Sequence, residues 1–133
     1  MTTELHWMIW TLLMTVMMSL PYVINRLMVR GPIKAMANHE PETGSDQALW
    51  ARRAMSAHRN AVENLVVFAP SILALGALHV STPATRMAAI TYFFARAAHY
   101  LVYVAGVPFA RTITFLAALA AQLVIVVALI AAV

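Results

Sequence analysis

The chain has 133 residues, of which 62% are hydrophobic and 11% charged. Soluble domains carry about a quarter charged residues, so an ordinary soluble domain is excluded, and so is a disordered chain. The mean hydropathy of +0.78 points to a membrane protein. A span takes about 20 residues, so the length fits one domain, residues 1–133, of four membrane helices at about 5–30, 46–79, 84–105 and 109–132. The net charge is +4, and the nine basic residues form no aromatic-interleaved patch, which argues against a nucleic-acid surface. There is no cysteine, hence no disulfide, thiolate nucleophile or thiolate-held metal.

Leu5 to Asn25 carries no charge and reads as the first span, with Trp7 and Trp10 as interface anchors. It lacks the basic lead of a cleaved signal peptide, so a retained helix is expected. Arg26 to Asp46 is the longest polar segment, punctuated by Gly31-Pro32, Pro41 and Gly44. Arg26, Arg30 and Lys34 recur every four residues, so the first helix is expected to run one turn past the membrane. Ser45 or Asp46 is the expected cap of the second helix. That helix, Gln47 to Leu78, would be roughly 48 Å long, against a hydrocarbon core of about 30 Å. Its first half must project or be shielded by other helices. Ser81-Thr82-Pro83 makes a turn, with Pro83 opening the third helix. In the third helix Tyr92, Arg96, His99, Tyr100 and Tyr103 fall on one face, and Arg96 has no acid in its own helix. Gly106-Val107-Pro108 breaks the chain before an uncharged last span, Thr112 to Val133.

The most informative stretch is Arg52 to Phe68. As a helix it aligns Arg52, Ser56, Arg59 and Glu63 on one face, with Asn60 and Asn64 flanking. Arg59 and Glu63 are spaced to pair at i,i+4. Polar groups in a membrane helix are costly unless partnered, so the face reads as a helix-packing seam, a ligand cradle, or both. His6, His39, His58, His79 and His99 show no metal-binding spacing, and no metal is expected. With Asp46 as the one aspartate, no Ser-His-Asp set is legible. What remains is a surplus of donors: Arg30, Arg52, Arg53, Arg59, Arg96 and Arg111, with asparagines, tyrosines and one glutamate. Guanidinium forks suit carboxylates and Glu63 suits an ammonium, so a small ligand with two carboxylates and an amine matches.

Two motifs carry a resemblance. Arg53-x-x-x-x-His58-Arg59-Asn60-x-x-Glu63-x-x-x-x-Phe68 and Arg96-x-x-His99-x-x-x-Tyr103-x-x-Gly106-x-Pro108-x-x-Arg111-Thr112, with a weaker Lys34-Ala-Met-Ala-Asn38, resemble the MAPEG family. These are the membrane-associated proteins of eicosanoid and glutathione metabolism, and the likeness is to bacterial members and to microsomal glutathione transferases. It covers about Leu5 to Leu129. The resemblance implies an all-α membrane protein, a four-transmembrane-helix bundle that forms homotrimers in a bacterial inner membrane. It implies glutathione as co-substrate, held between subunits, and transfer of its sulfur to lipophilic electrophiles or reduction of lipid hydroperoxides. By position, Asn60, Glu63 and Arg59 would hold the glutathione backbone, Arg30 would come from the first helix, and Arg96, His99 and Tyr103 from the third. Arg111 would stabilise the thiolate, with Thr112 where some members carry a serine. Ser56 stands where the family's eicosanoid enzymes have an arginine, so either a carboxylate contact is missing or Arg52 or Arg53 replaces it.

Two other classes compete. A non-catalytic binding or scaffold protein of the same fold is favoured by Ser56. A small multidrug transporter needs a membrane-buried acid in the first helix, where this chain has Glu4 at the very start. The basic residues set the expected topology: the first and third loops carry most of them and both termini carry none, so both termini should face away from the cytoplasm. Reporter fusions at Val133 and within 38–44 should therefore report opposite sides, the first outside and the second in the cytoplasm. A cytoplasmic Val133 would overturn this orientation.

Overall fold

A computed structural model describes residues 1–37 and 46–133; the expected features at Asn38, His39, Pro41, Gly44 and Ser45 lie outside them. Six helices follow in order: α1 (Thr3–Met17), α2 (Leu20–Arg30), α3 (Pro32–Ala37), α4 (Leu49–Ala77), α5 (Pro83–Ala105) and α6 (Pro108–Ala131). Thr3–Arg30 taken together, Leu49–Ala77 and Pro108–Ala131 are long and apolar enough to cross a membrane. α5 has 23 residues, long enough by rise, but it buries Arg96 and His99.

α5 is the hub, packing against α6, α4 and α1. Alanines make this possible. Ala54, Ala57 and Ala61 on α4, Ala88, Ala89 and Ala95 on α5, and Ala118 and Ala121 on α6 are buried. Small side chains let helix backbones approach closely, which is the main packing force where lipid removes the hydrophobic drive. Between them Phe68 stacks on Tyr92, ring centroids 3.7 Å apart and 8° from parallel, with Ile72, Leu75 and Ile125 around it. The helix ends follow sequence rules. Thr82 and Thr85 form a reciprocal capping box at the start of α5, and Gly106 ends it with φ 78°.

The first expected helix is not continuous. Pro21 has no N–H to give, the chain tightens so that Ser19 N–H reaches the Val16 carbonyl at 3.2 Å, and α1 stops at Met17. The Tyr100 hydroxyl donates to the Met18 carbonyl at 3.1 Å, across the break. The expected extension past Arg30 also fails, because Gly31 at φ 73° turns the chain and Lys34 falls in the separate α3.

α2 buries no residue; it meets α4 through polar contacts. Tyr22 Oη and His58 Nδ1 are 2.9 Å apart, and Gln47 Nε2 donates to the Tyr22 carbonyl at 3.0 Å. Asp46 does not cap α4 as expected. Arg30 Nε holds its carboxylate at 2.9 Å, and Asn25 Oδ1 on α2 accepts the Ala48 N–H at 3.3 Å instead. The Arg30 hydrogen bond keeps the Asp46 carboxyl below its usual value of 3.8. A lowered carboxyl stabilises the fold above its unfolded pKa and loses that contribution as pH falls through the folded one. The α2–α4 link is thus intact at neutral pH and weakens only below the ordinary aspartate range.

At the other end of the bundle Glu4 is 1% exposed. Its Oε1 accepts from the Thr85 hydroxyl at 2.6 Å and from the Ser81 hydroxyl at 3.0 Å, tying α1 to the capping box of α5. Glu4→Ala should lower stability by about 1–3 kcal/mol, the cost of leaving a buried hydrogen-bonding group without its partner. Thermal unfolding in detergent would show it, and Ser81→Ala should add little on top, since the Ser81 hydroxyl donates to Glu4. Full additivity of the two would refute the clasp.

Candidate functional site

α4 presents two polar faces. Arg52, Ser56, Arg59 and Glu63 share one, as their spacing predicts, and all four are exposed on the outside of the protomer. Arg53, Asn60 and Asn64 are turned inward and half-buried. Among the described residues the one ion pair is Arg30–Asp46, so the expected Arg59–Glu63 pair is not formed.

The centre of the inward side is Arg96. It is 2% exposed, and its Nη2 donates to Asn60 Oδ1 at 2.8 Å. Its Nε and Nη1 are buried with no hydrogen-bond partner. Such orphaned donors cost free energy, more for a charged group, and are rare in native structures. One turn on, His99 Nδ1 lies 3.1 Å from the Arg111 carbonyl. A carbonyl only accepts, so Nδ1 carries the proton, and in the neutral ring Nε2 is left as an acceptor. That Nε2 is buried without a partner too.

Asn60, His99, Tyr103, Arg111, Thr112 and Phe115 line one cavity of about 320 Å³. The Arg111 guanidinium carbon sits 5.0 Å from the centroid of the Tyr103 ring, within cation–π reach, which orients it without an acid. Thr112 gives its hydroxyl to the Pro108 carbonyl at 3.3 Å. Beyond Tyr103 a second cavity of about 170 Å³ is lined by Arg53, Tyr103, Gly106, Val107, Pro108 and Arg111. Towards the apolar end a groove of about 290 Å³ between α4 and α6 holds Glu63, Asn64 and Gln122 among valines and leucines. Gln122 Nε2 donates to the Asn64 carbonyl at 3.2 Å.

Of the residues expected at the site, Asn60, Arg96, His99, Tyr103, Arg111 and Thr112 come together, Arg53 adjoins them and Glu63 lies further along α4. Arg30, Arg52 and Arg59 line none of these cavities. Arg30 is on α2 with Asp46, and the Arg52 carbonyl accepts from Ser56 Oγ at 3.2 Å. Phe115 and Gln122 were not expected. Gln122 was legible as a lone amide in an uncharged span, where a polar residue signals a role; Phe115 resembles its apolar neighbours and gave no sign.

The Arg96 orphans make a prediction. A lone buried charge kept for a ligand destabilises the empty fold. Arg96→Met should raise thermal stability by about 1–2 kcal/mol, even after losing the Asn60 hydrogen bond. A fall in melting temperature would make Arg96 a structural residue.

Neither the curated proteins nor the solved structures compared with this chain give a match. The family model for the MAPEG family matches residues 5–131, nearly the full length, over helices with the composition of membrane spans. The chain is therefore a multi-pass integral membrane protein belonging to the MAPEG family, of the glutathione and eicosanoid metabolism type.

Proposed function

We propose that the protein binds glutathione, or a thiol of like charge pattern, and uses its sulfur against lipophilic electrophiles or lipid hydroperoxides that arrive from the bilayer. The observation that carries this reading is the buried Arg96 guanidinium, with two unpartnered nitrogens, hydrogen-bonded to Asn60 on the wall of a cavity that His99 and Arg111 also line. An anionic ligand fills that deficit, and a carboxylate accepts from a guanidinium fork through both oxygens. In this reading Arg96, His99, Tyr103 and Asn60 hold the ligand, with Glu63 for its amine. Arg111 stabilises the thiolate from the first turn of α6, and Thr112 flanks the sulfur. No metal is required.

The same reading makes the active form a trimer of four-span bundles built from α1–α2, α4, α5 and α6, with both termini outside a bacterial inner membrane. The exposed face of Arg52, Ser56, Arg59 and Glu63 supports it. Polar side chains exposed there are costly against hydrocarbon and are shielded from it against a second copy. Arg30 and Arg59, away from the cavity within one protomer, would reach the ligand across that seam. A scaffold without turnover is favoured by one observation. Ser56 occupies the place of an arginine and gives its hydroxyl to its own helix.

Thiolate absorbance near the ultraviolet edge tests the enzyme reading. A free thiol has a pKa of about 8.5, and an adjacent guanidinium lowers it by roughly one to three units. Adding glutathione at neutral pH should therefore raise a thiolate signal in the wild type. Arg111→Ala should abolish that signal with only modest loss of binding, whereas Glu63→Gln should lose binding first. An unchanged signal in Arg111→Ala removes Arg111 as activator. Absent glutathione binding removes the enzyme reading in favour of the scaffold.

A further inference from the structure

The small cavity at the α5–α6 turn has a charge that the thiol site does not explain. Two guanidiniums, Arg53 and Arg111, line it with no acid among its walls, and neither belongs to the ion pair formed among the described residues. The approach of Arg53 depends on Gly106. A Cβ there would lie 2.6 Å from the Arg53 guanidinium carbon, so a side chain at position 106 would displace the guanidinium from this place. No side chain caps the first turn of α6, which adds the positive end of a 24-residue helix. Three positive elements thus converge without a counter-charge among the described residues.

At about 170 Å³ the cavity falls below the roughly 300–1,000 Å³ of pockets that take whole small molecules. It suits a single oxyanion group. Val107 on its wall is 45% exposed, and Phe109, next in the chain to the lining Pro108, is 84% exposed. It lies at a membrane-end turn between two spans. Basic pockets between spans on the cytoplasmic side take anionic lipid headgroups, and arginine forks fit phosphate oxygens two at a time.

We propose that the Arg53–Tyr103–Arg111 cavity binds the phosphate of an anionic phospholipid, whose acyl chains leave over Val107 and Phe109 into the bilayer. The lipid is a resident ligand, not a substrate. Arg111 borders both cavities, so the lipid lies next to the proposed thiol site, but its binding does not depend on glutathione use.

The test uses the full chain in mixed phosphatidylglycerol and phosphatidylcholine nanodiscs, with native mass spectrometry of the lipid retained on release. The wild type should keep phosphatidylglycerol over phosphatidylcholine. Arg53→Gln should cut that preference roughly fivefold, the effect of one basic residue at an anionic surface, and Arg86→Gln, at the opposite turn, should leave it alone. No preference in the wild type, or a preference that survives Arg53→Gln, overturns the proposal. So does inorganic phosphate binding alone without lipid preference. If Arg53→Gln does not fold, labelling of wild-type Arg53 by an arginine-selective dicarbonyl decides. Protection in phosphatidylglycerol but not in phosphatidylcholine supports the site, and equal labelling refutes it. Loss of glutathione binding with lipid preference intact would remove the enzyme reading and leave this one standing.

Discussion

A guanidinium with one hydrogen bond, enclosed by helices, is the constraint on which this bundle turns. Arg96 cannot leave. Tyr92 lies one turn below it on α5, itself pinned by the stack with Phe68, and α4 and α6 close the sides through alanines. The interior is thereby divided. On one side of the Phe68–Tyr92 layer are Ile72, Leu75 and Ile125, a packing any apolar sequence of the right size would supply. On the other side are Asn60, His99, Tyr103 and Arg111, where each polar group has a defined partner or a conspicuous lack of one. Stability belongs to the first half and the proposed ligand site to the second. The cost of the second is met by the first, because an orphaned charge persists only where surrounding packing over-determines it.

The tautomer of His99 shows how far this order reaches. The Arg111 carbonyl accepts a hydrogen bond from Nδ1, so the same residue whose side chain borders the cavity also fixes, through its backbone, the tautomer of the ring. α5 and α6 are joined by the short Gly106–Val107 turn, and the left-handed φ of Gly106 sets their crossing. One glycine therefore places His99, Arg53 and Arg111 relative to each other.

Much of this was legible in the sequence where the cause is local. The bounds of α4, α5 and α6 lie within about three residues of the expected ones, because Pro83, Gly106 and Pro108 act on their own neighbours. The gathering of Asn60, Arg96, His99, Tyr103 and Arg111 followed from polar residues lying at one end of two spans, sharpened by the family motifs. Where the outcome depended on distant partners, the reading failed. Glu4 looked like a terminal acid, and its hydroxyl partners stand about 80 residues away. Asp46 looked like a cap until Arg30 on another helix claimed it. The break after Met17 needed both Pro21, which was visible, and the Tyr100 hydroxyl, which was not. Arg59 and Glu63 had the spacing to pair, but spacing makes a pair possible without making it form, and exposed i,i+4 pairs contribute only about 0.3–0.5 kcal/mol.

Arg111 borders both cavities, and this imposes a relation between whatever fills them. Held over the Tyr103 ring, its guanidinium is one positive charge available to two neighbouring anions. An oxyanion in the smaller cavity reduces the field felt in the larger one, so a thiol there is less readily ionised; a thiolate in the larger cavity weakens the hold on the oxyanion by the same factor, since binding couplings are reciprocal. Arg53 moderates the conflict. It lines only the smaller cavity of the two and supplies a second positive charge there, so an oxyanion need not draw wholly on Arg111. Under the proposed function, the glycine beside Arg53 thereby also protects thiol ionisation next to Arg111. A bulkier residue at position 106 would impair thiol ionisation without touching the thiol, whenever the smaller cavity is filled.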